Sequence, residues 1–375
     1  MWGNYMLKKI IKYISIFLIT CITLFLSSAS LINAYRTINI KDDDYHYLSN
    51  TANKVILFIG DGMGQNHISN ANLYYGKDLF FTSFEKKGLV NTNSKNTFYP
   101  TDSAAAATAM STGKKVYNTC VAKTLTSKDY ESISEIAKRN GYGVGIVTTD
   151  TLTGATPAAF SAHAKKRSHT EEIIKSQLEN SIDLYMGAGM EVYEPYKQQW
   201  IEKDYKYINN TEELENTNQK IFATFASINN YEGTNLNPTL PYLTSFAINY
   251  FENKYPNGYF LMIEGAHIDK SNHSNNMKDM LAYIDEFDNS IKLAYDRLND
   301  SQNICFIVTA DHESGKLSLA DNKNQINDDL YKSHDHTKRK VNYFIHQSNN
   351  ENINNINEEI DNTHIFYIVK QLLNI

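Results

Sequence analysis

Three features of this 375-residue chain predict an α/β fold built on a mostly parallel, buried sheet. Continuous apolar runs rich in β-branched and aromatic residues recur from Val55 to Gly60, Gly143 to Thr148, Leu184 to Gly187, Tyr259 to Ile263, Ile304 to Thr309 and Val341 to Ile345. Runs without polar alternation suit strands covered on both faces. Segments with helical spacing lie between them, among them Tyr130 to Asn140, Leu243 to Lys254 and Met277 to Leu298, and can serve as crossovers. The composition, 42% hydrophobic and 21% charged, is that of a globular protein with a large core. Length alone admits one domain or two.

The first segment of the chain stands apart from that pattern. Lys8, Lys9 and Lys12 precede an apolar stretch, Tyr13 to Leu26, and small residues follow from Ser27 to Ser30. That is the order of charge, apolar core and small residues in an export signal. Residues 1–34 are therefore expected to be a signal peptide cleaved near Ala29 or Ala34, or a retained membrane anchor, since Tyr13 to Ala34 can cross a bilayer. Either way the remainder is exported, to an extracellular, periplasmic or cell-surface location. The net charge is −6 with no long basic run, which excludes nucleic acid as the main partner. Three cysteines, Cys21, Cys120 and Cys305, are too few for a disulfide scaffold, and Cys305 reads as a small core hydrophobe. The polar stretch 193–220 and the Asn-rich tract from Ser348 to Asn357 read as surface excursions without chemistry.

Several apolar runs end in a carboxylate. Val55 to Gly60 gives Asp61, Tyr259 to Ile263 gives Glu264, and Ile304 to Thr309 gives Asp311 and His312. Ligands bind at the carboxyl ends of strands in an open α/β sheet, so these groups are expected to converge.

Individual motifs carry different weight. Asp61-Gly62 is by itself a common turn pair. The alanine run after Asp102-Ser103 is a strong helix former, so Ser103 is expected in a first helical turn, where free N–H groups favour an anion; a Ser or Asp there is also a common cap. A serine so placed becomes a nucleophile only with a base or a metal beside it. From Glu264 to His273 the chain packs Glu264, His267, Asp269 and His273 after a strand, and the spacing of four puts Asp269 and His273 on one helical face, as a metal pair requires. Asp311-His312 and His334-Asp335-His336 add ligands of the same kind. Ala155-Thr156-Pro157 leads on to His163 and Arg167.

The motifs beginning at Asp61, Asp102, Ala155, Glu264, Thr309 and His336 stand in the order, and at roughly the spacing, of the alkaline phosphatase family. From about Lys54 to the C-terminus the chain resembles that family. The resemblance implies a three-layer αβα sandwich, a catalytic domain over residues 50–375, a homodimer, and a centre of two zinc ions and one magnesium ion. The implied reaction is hydrolysis of small phosphate monoesters through a phosphoserine intermediate. Position by position, Ser103 matches the nucleophile, Arg167 the group that grips two phosphate oxygens, and Asp102 the neighbour that holds the arginine. Asp269, His273 and His336 match the ligands of one zinc, while Asp61, Asp311 and His312 match those of the other. Asp61, Thr156 and Glu264 match the magnesium ligands.

Gly154 departs from the pattern. Relatives often carry Asp or His two positions before Thr156, so a contact to the outer shell of the magnesium or to phosphate is in question. Lys270 matches relatives with a lysine after the zinc-binding Asp. His67, His163, His169, His267, His346 and His364 receive no role; His334 rivals His336 as a ligand, and His336 is preferred because Thr337 follows it. Two other readings remain: a phosphodiesterase, sulfatase or mutase of the same superfamily, or an inactive surface protein that binds metal or phosphate. Alanines after Ser103 do not fit the Cys/Ser-x-Pro-x-Arg setting of a sulfatase.

Overall fold

The structure, a computed structural model, describes residues 52–375 except 216, 229–232, 302 and 349–351. The expected export segment, residues 1–34, lies outside the described residues. In chain order the strands are β1 (Lys54–Gly60), β2 (Lys86–Asn91), β3 (Gly143–Thr151), β4 (Leu184–Ala188), β5 (Tyr205–Ile208) and β6 (Lys220–Phe225). They continue as β7 (Tyr259–Gly265), β8 (Ile304–Thr309), β9 (Glu313–Ser314), β10 (His336–Thr337), β11 (Val341–Gln347) and β12 (Glu359–Asp361). Ten of them form one sheet in the order β12-β2-β11-β8-β1-β7-β3-β4-β6-β5, and β9 and β10 pair separately as a short antiparallel ribbon.

The apolar runs form the middle of the sheet, as buried parallel strands should. Every residue of β1, β7 and β8 is buried. The registers bring their ends level: Ile59 of β1 lies opposite Glu264 of β7 on one side and Thr309 of β8 on the other, and Thr148 of β3 lies opposite Glu264. Asp61, Glu264 and Asp311 therefore emerge at one edge.

Helices cover both faces in two groups that pack within themselves. One group holds α1 (Gln65–Tyr75), α6 (Leu240–Lys254), α7 (His267–His273) and α8 (Met277–Leu298). The other holds α2 (Ser103–Thr112), α3 (Ile133–Arg139), α4 (Ala155–Ser161), α5 (Thr170–Asn180) and α9 (Thr363–Leu372). This is the expected three-layer αβα arrangement. Local chemistry sets the helix starts: Ser132 and Glu135 form a reciprocal capping box that begins α3 at Ile133, and the Thr239 side chain caps α6. Among the described residues no helix is long and apolar enough to cross a membrane.

Three expectations need correction. The strand from Val341 is antiparallel to both its neighbours, β8 and β2. No α-helix stands between β8 and β11, and a return without a crossover yields an antiparallel pair. Residues 193–220 are more than a surface excursion. They contribute the edge strand β5 and bury Tyr193, Trp200 and Tyr205, with Trp200 stacked on Phe222 at a centroid distance of 3.8 Å. Aromatic bulk outweighs the polar residues between. The Asn-rich tract is likewise pinned, through buried Ile353 and Ile356.

Candidate active site

The first cluster joins α7 to the β9–β10 ribbon. Asp269 and His273 share one face of α7, and His336 on β10 comes across to them. Outer hydrogen bonds set both imidazoles. His273 Nδ1 donates to the His334 carbonyl, and His336 Nδ1 donates to the Thr101 carbonyl at 2.9 Å. Each ring is thereby turned so that Nε2 faces inward, and the two Nε2 atoms stand 3.1 Å apart, with Asp269 Oδ2 3.2 Å from that of His273. Two inward nitrogens at that distance share either a proton or a cation, and fixing ligands through their far nitrogen is how proteins orient metal-binding histidines. His334 contributes its backbone carbonyl, while its side chain bonds to the His273 carbonyl at 2.9 Å and to Asn275.

The second cluster lies at the ends of β1 and β8. Asp61 follows β1, while Asp311 and His312 follow β8. Gly62 N and His312 N both donate to Asp311 Oδ1, at 3.0 and 2.8 Å, which turns Oδ2 into the site. Asp61 Oδ1 and Asp311 Oδ2 lie 3.5 and 3.2 Å from His312 Nε2, yet both are buried without a hydrogen bond. Buried orphan carboxylate oxygens aimed at one imidazole nitrogen fit a metal ion. The rings of His312 and His336 stack at 3.5 Å, so the two clusters adjoin.

Ser103 meets this second cluster. It is the first residue of α2, capped by Asp102, whose Oδ1 accepts from Ala105 N at 3.0 Å. Its Oγ lies 3.2 Å from His312 Nε2. Arg167 stands before α5, its guanidinium 3.5 Å from Asp102 Oδ2. Ser103 and Arg167, with Asp61, Asp269, Lys270 and His336, bound a pocket of about 410 Å³.

The third set is made of oxygen alone. Glu264 at the end of β7 accepts from Thr148 Oγ1, and the Thr156 hydroxyl at the start of α4 is buried without a hydrogen-bond partner. Carboxylates and a hydroxyl form a hard donor set of the kind magnesium takes.

Charge supports the same reading. Burial, and then the neighbouring Asp311, Asp269 and Glu264, push the Asp61 carboxyl well above its ordinary range. Burial and Asp150 do the same to Glu264. Asp269 runs the other way: burial would raise it, but the hydrogen bond with His273 and the other imidazoles hold it low. That same bond lifts His273 to about 9. Carboxylates crowded this closely repel one another unless cations enter.

Of the ten predicted site residues, Asp61, Ser103, Arg167, Asp269, His273 and His336 line this pocket, while Thr156, Glu264, Asp311 and His312 do not. Sequence reasoning missed Asp150, which pairs with Lys270 at 2.5 Å, and Ser314, whose hydroxyl donates to Asp269. The strand-end rule could have found Asp150, because it follows the apolar part of β3 just as Asp61 follows β1. Nothing in the sequence marks Ser314.

A mostly parallel α/β sheet whose strand ends gather imidazole and carboxylate clusters beside a helix-initial serine defines a metal-dependent α/β protein. The family profile described as alkaline phosphatase matches residues 52–372, and the chain belongs to that family. It is 31% identical over 292 residues to alkaline phosphatase 3 of Bacillus subtilis (strain 168), covering 71% of this chain and 62% of the relative. The chain thus spans about three fifths of that relative's length. Alkaline phosphatase of Escherichia coli (strain K12) is 29% identical, with 72% of each chain covered. Among solved structures, alkaline phosphatase from the Antarctic bacterium TAB5 superposes with a TM-score of 0.74 at 28% identity, covering 87% of this chain and 99% of that one. A mutant of the TAB5 protein, solved with magnesium bound in its M3 site, matches equally well.

Proposed function

We infer that this protein hydrolyses phosphate monoesters through a phosphoserine formed on Ser103. The observation that carries the reading is the position of Ser103 Oγ, 3.2 Å from His312 Nε2 and facing the same pocket as Arg167. Asp269, His273 and His336 would hold one zinc ion, Asp61, Asp311 and His312 a second, and Asp61, Thr156 and Glu264 a magnesium ion. When bound, such ions lower the pKa of a nucleophilic hydroxyl and stabilise the charge that develops on a leaving oxygen.

The chain's own residues do the rest. The start of α2 offers free backbone N–H groups to an anion. Arg167 presents a planar fork able to bind two phosphate oxygens, and Asp102 fixes where that fork points. Ser103 Oγ then bonds to phosphorus as the ester P–O bond breaks and the alcohol leaves. Water next bonds to phosphorus as the Ser103 O–P bond breaks, releasing inorganic phosphate and restoring the hydroxyl. Positioning and charge neutralisation supply most of the catalysis in such transfers.

Export, a homodimer and small monoester substrates belong to the same proposal. Export rests on the charge and apolar order of residues 8–30, and the dimer rests on family resemblance. Ser103→Ala is expected to cut phosphate release from an aryl phosphate by about 10³-fold or more while zinc content is unchanged. Normal turnover by that variant would refute a Ser103 intermediate. Faster turnover of a diester than of a monoester would refute the substrate class.

A further inference from the structure

We propose that Asp150 stands in for the side chain that Gly154 lacks, placing its carboxylate at the magnesium side of the pocket and positioning Lys270 over the phosphate site. The proposal rests on the phosphomonoesterase reading above and assigns a role to a residue outside the matched motifs.

Gly154 is not a glycine because its backbone demands one. Its φ of −56° and ψ of 160° are open to any residue. Space is what resists a side chain: a Cβ built there would overlap Asp150 Oδ2 and lie 2.9 Å from both Asp150 Cγ and the backbone oxygen of Thr151. The carboxylate of Asp150 thus already fills the volume that a side chain at residue 154 would enter.

Asp150 is also held in place. Its backbone N donates to Thr148 Oγ1 at 2.9 Å, and that hydroxyl in turn donates to Glu264. Oδ1 takes the Lys270 ammonium at 2.5 Å, which leaves Oδ2 over Gly154, two residues before Thr156. Lys270 itself bounds the pocket together with Ser103 and Arg167. A magnesium ion keeps several of its waters when it binds protein, and those waters need acceptors. Asp150 Oδ2 is a carboxylate oxygen set beside the Thr156 and Glu264 group.

Gly154 therefore leaves room for the Asp150 carboxylate.

Magnesium affinity is measured by equilibrium dialysis with metal analysis on the zinc-loaded full chain, for wild type, Asp150→Ala, Asp150→Asn and Gly154→Asp. Asp150→Ala and the isosteric Asp150→Asn are expected to weaken magnesium binding by about 10- to 100-fold, the range for loss of an outer-shell partner, with zinc content unchanged. Gly154→Asp is expected to weaken it as well, by collision. Wild-type affinity in Asp150→Asn would overturn the proposal, whether or not the other variants fold. Failure of the wild-type chain to take up any magnesium would sink the three-metal reading and this proposal together, whereas magnesium binding indifferent to residue 150 sinks only this one.

Discussion

One carboxylate serves two groups at Asp102. Its Oδ1 caps the helix that begins with Ser103, and its Oδ2 faces both Thr119 N, at 3.0 Å, and the Arg167 guanidinium. Ser103, the proposed nucleophile, and Arg167, the proposed phosphate clamp, are thus referred to a common anchor. A lysine at 167 would keep the charge but lose the fork. Arg167→Lys is expected to lower kcat/KM for an aryl phosphate by roughly 10- to 100-fold, equivalent to a charge-assisted hydrogen bond of about 1.5–3 kcal/mol. Steady-state kinetics beside metal analysis checks this, and an unchanged kcat/KM would show that the fork is not used. At this scale the residues inside motifs were legible, because ligand chemistry restricts which side chains can stand there. Ser314 was not, since it reaches Asp269 from 45 positions away and its role exists only in three dimensions.

Strand ends organise the site, and the tight turn after β1 shows how closely they meet. Gly62 has φ +72°, in the left-handed region, and a Cβ there would collide with Ser314 Oγ and sit 2.7 Å from Asp269 Oδ1. The Asp-Gly pair is therefore a turn that also packs Gly62 against Asp269 and Ser314. Gly62→Ala is expected to cost about 1–2 kcal/mol for its backbone alone and to displace Asp269. Thermal melting should show a folded but less stable protein, and metal analysis should show loss of zinc; full zinc retention would contradict the close approach. The sequence made the buried strands legible as elements, because continuous apolar runs need cover on both faces. It did not reveal the direction of β11, since an apolar run looks the same either way. Nor did it reveal β5, where Tyr205 and Tyr207 hide among polar neighbours.

Over the whole molecule, metal and proton compete for the same groups. His273 is lifted to about 9 by its hydrogen bond to Asp269, so in the metal-free protein it is charged at pH 7. Zinc takes a neutral imidazole, and its uptake must expel that proton. Zinc added to chelated protein in weak buffer at pH 7 is expected to release at least about one proton per molecule, with the contribution of His273 fading above pH 9. Chelation should also lower the melting temperature in a way that zinc reverses, by about 2.7 kcal/mol at a hundredfold excess over Kd. A melting temperature indifferent to zinc would argue against ligation by these clusters.

The place of β1 has a consequence for how the chain is made. It is among the first segments of the sheet to be synthesised, yet its neighbours are β7 and β8, and Gly62 waits for Asp311 across 249 positions. Until those late strands arrive, an apolar strand has both edges unpaired, a state prone to wrong pairings with other chains. The middle of the sheet is completed near the end of synthesis, and the metal centre at its edge with it. Truncation anywhere before β7 leaves β1 without either of its neighbours in the sheet.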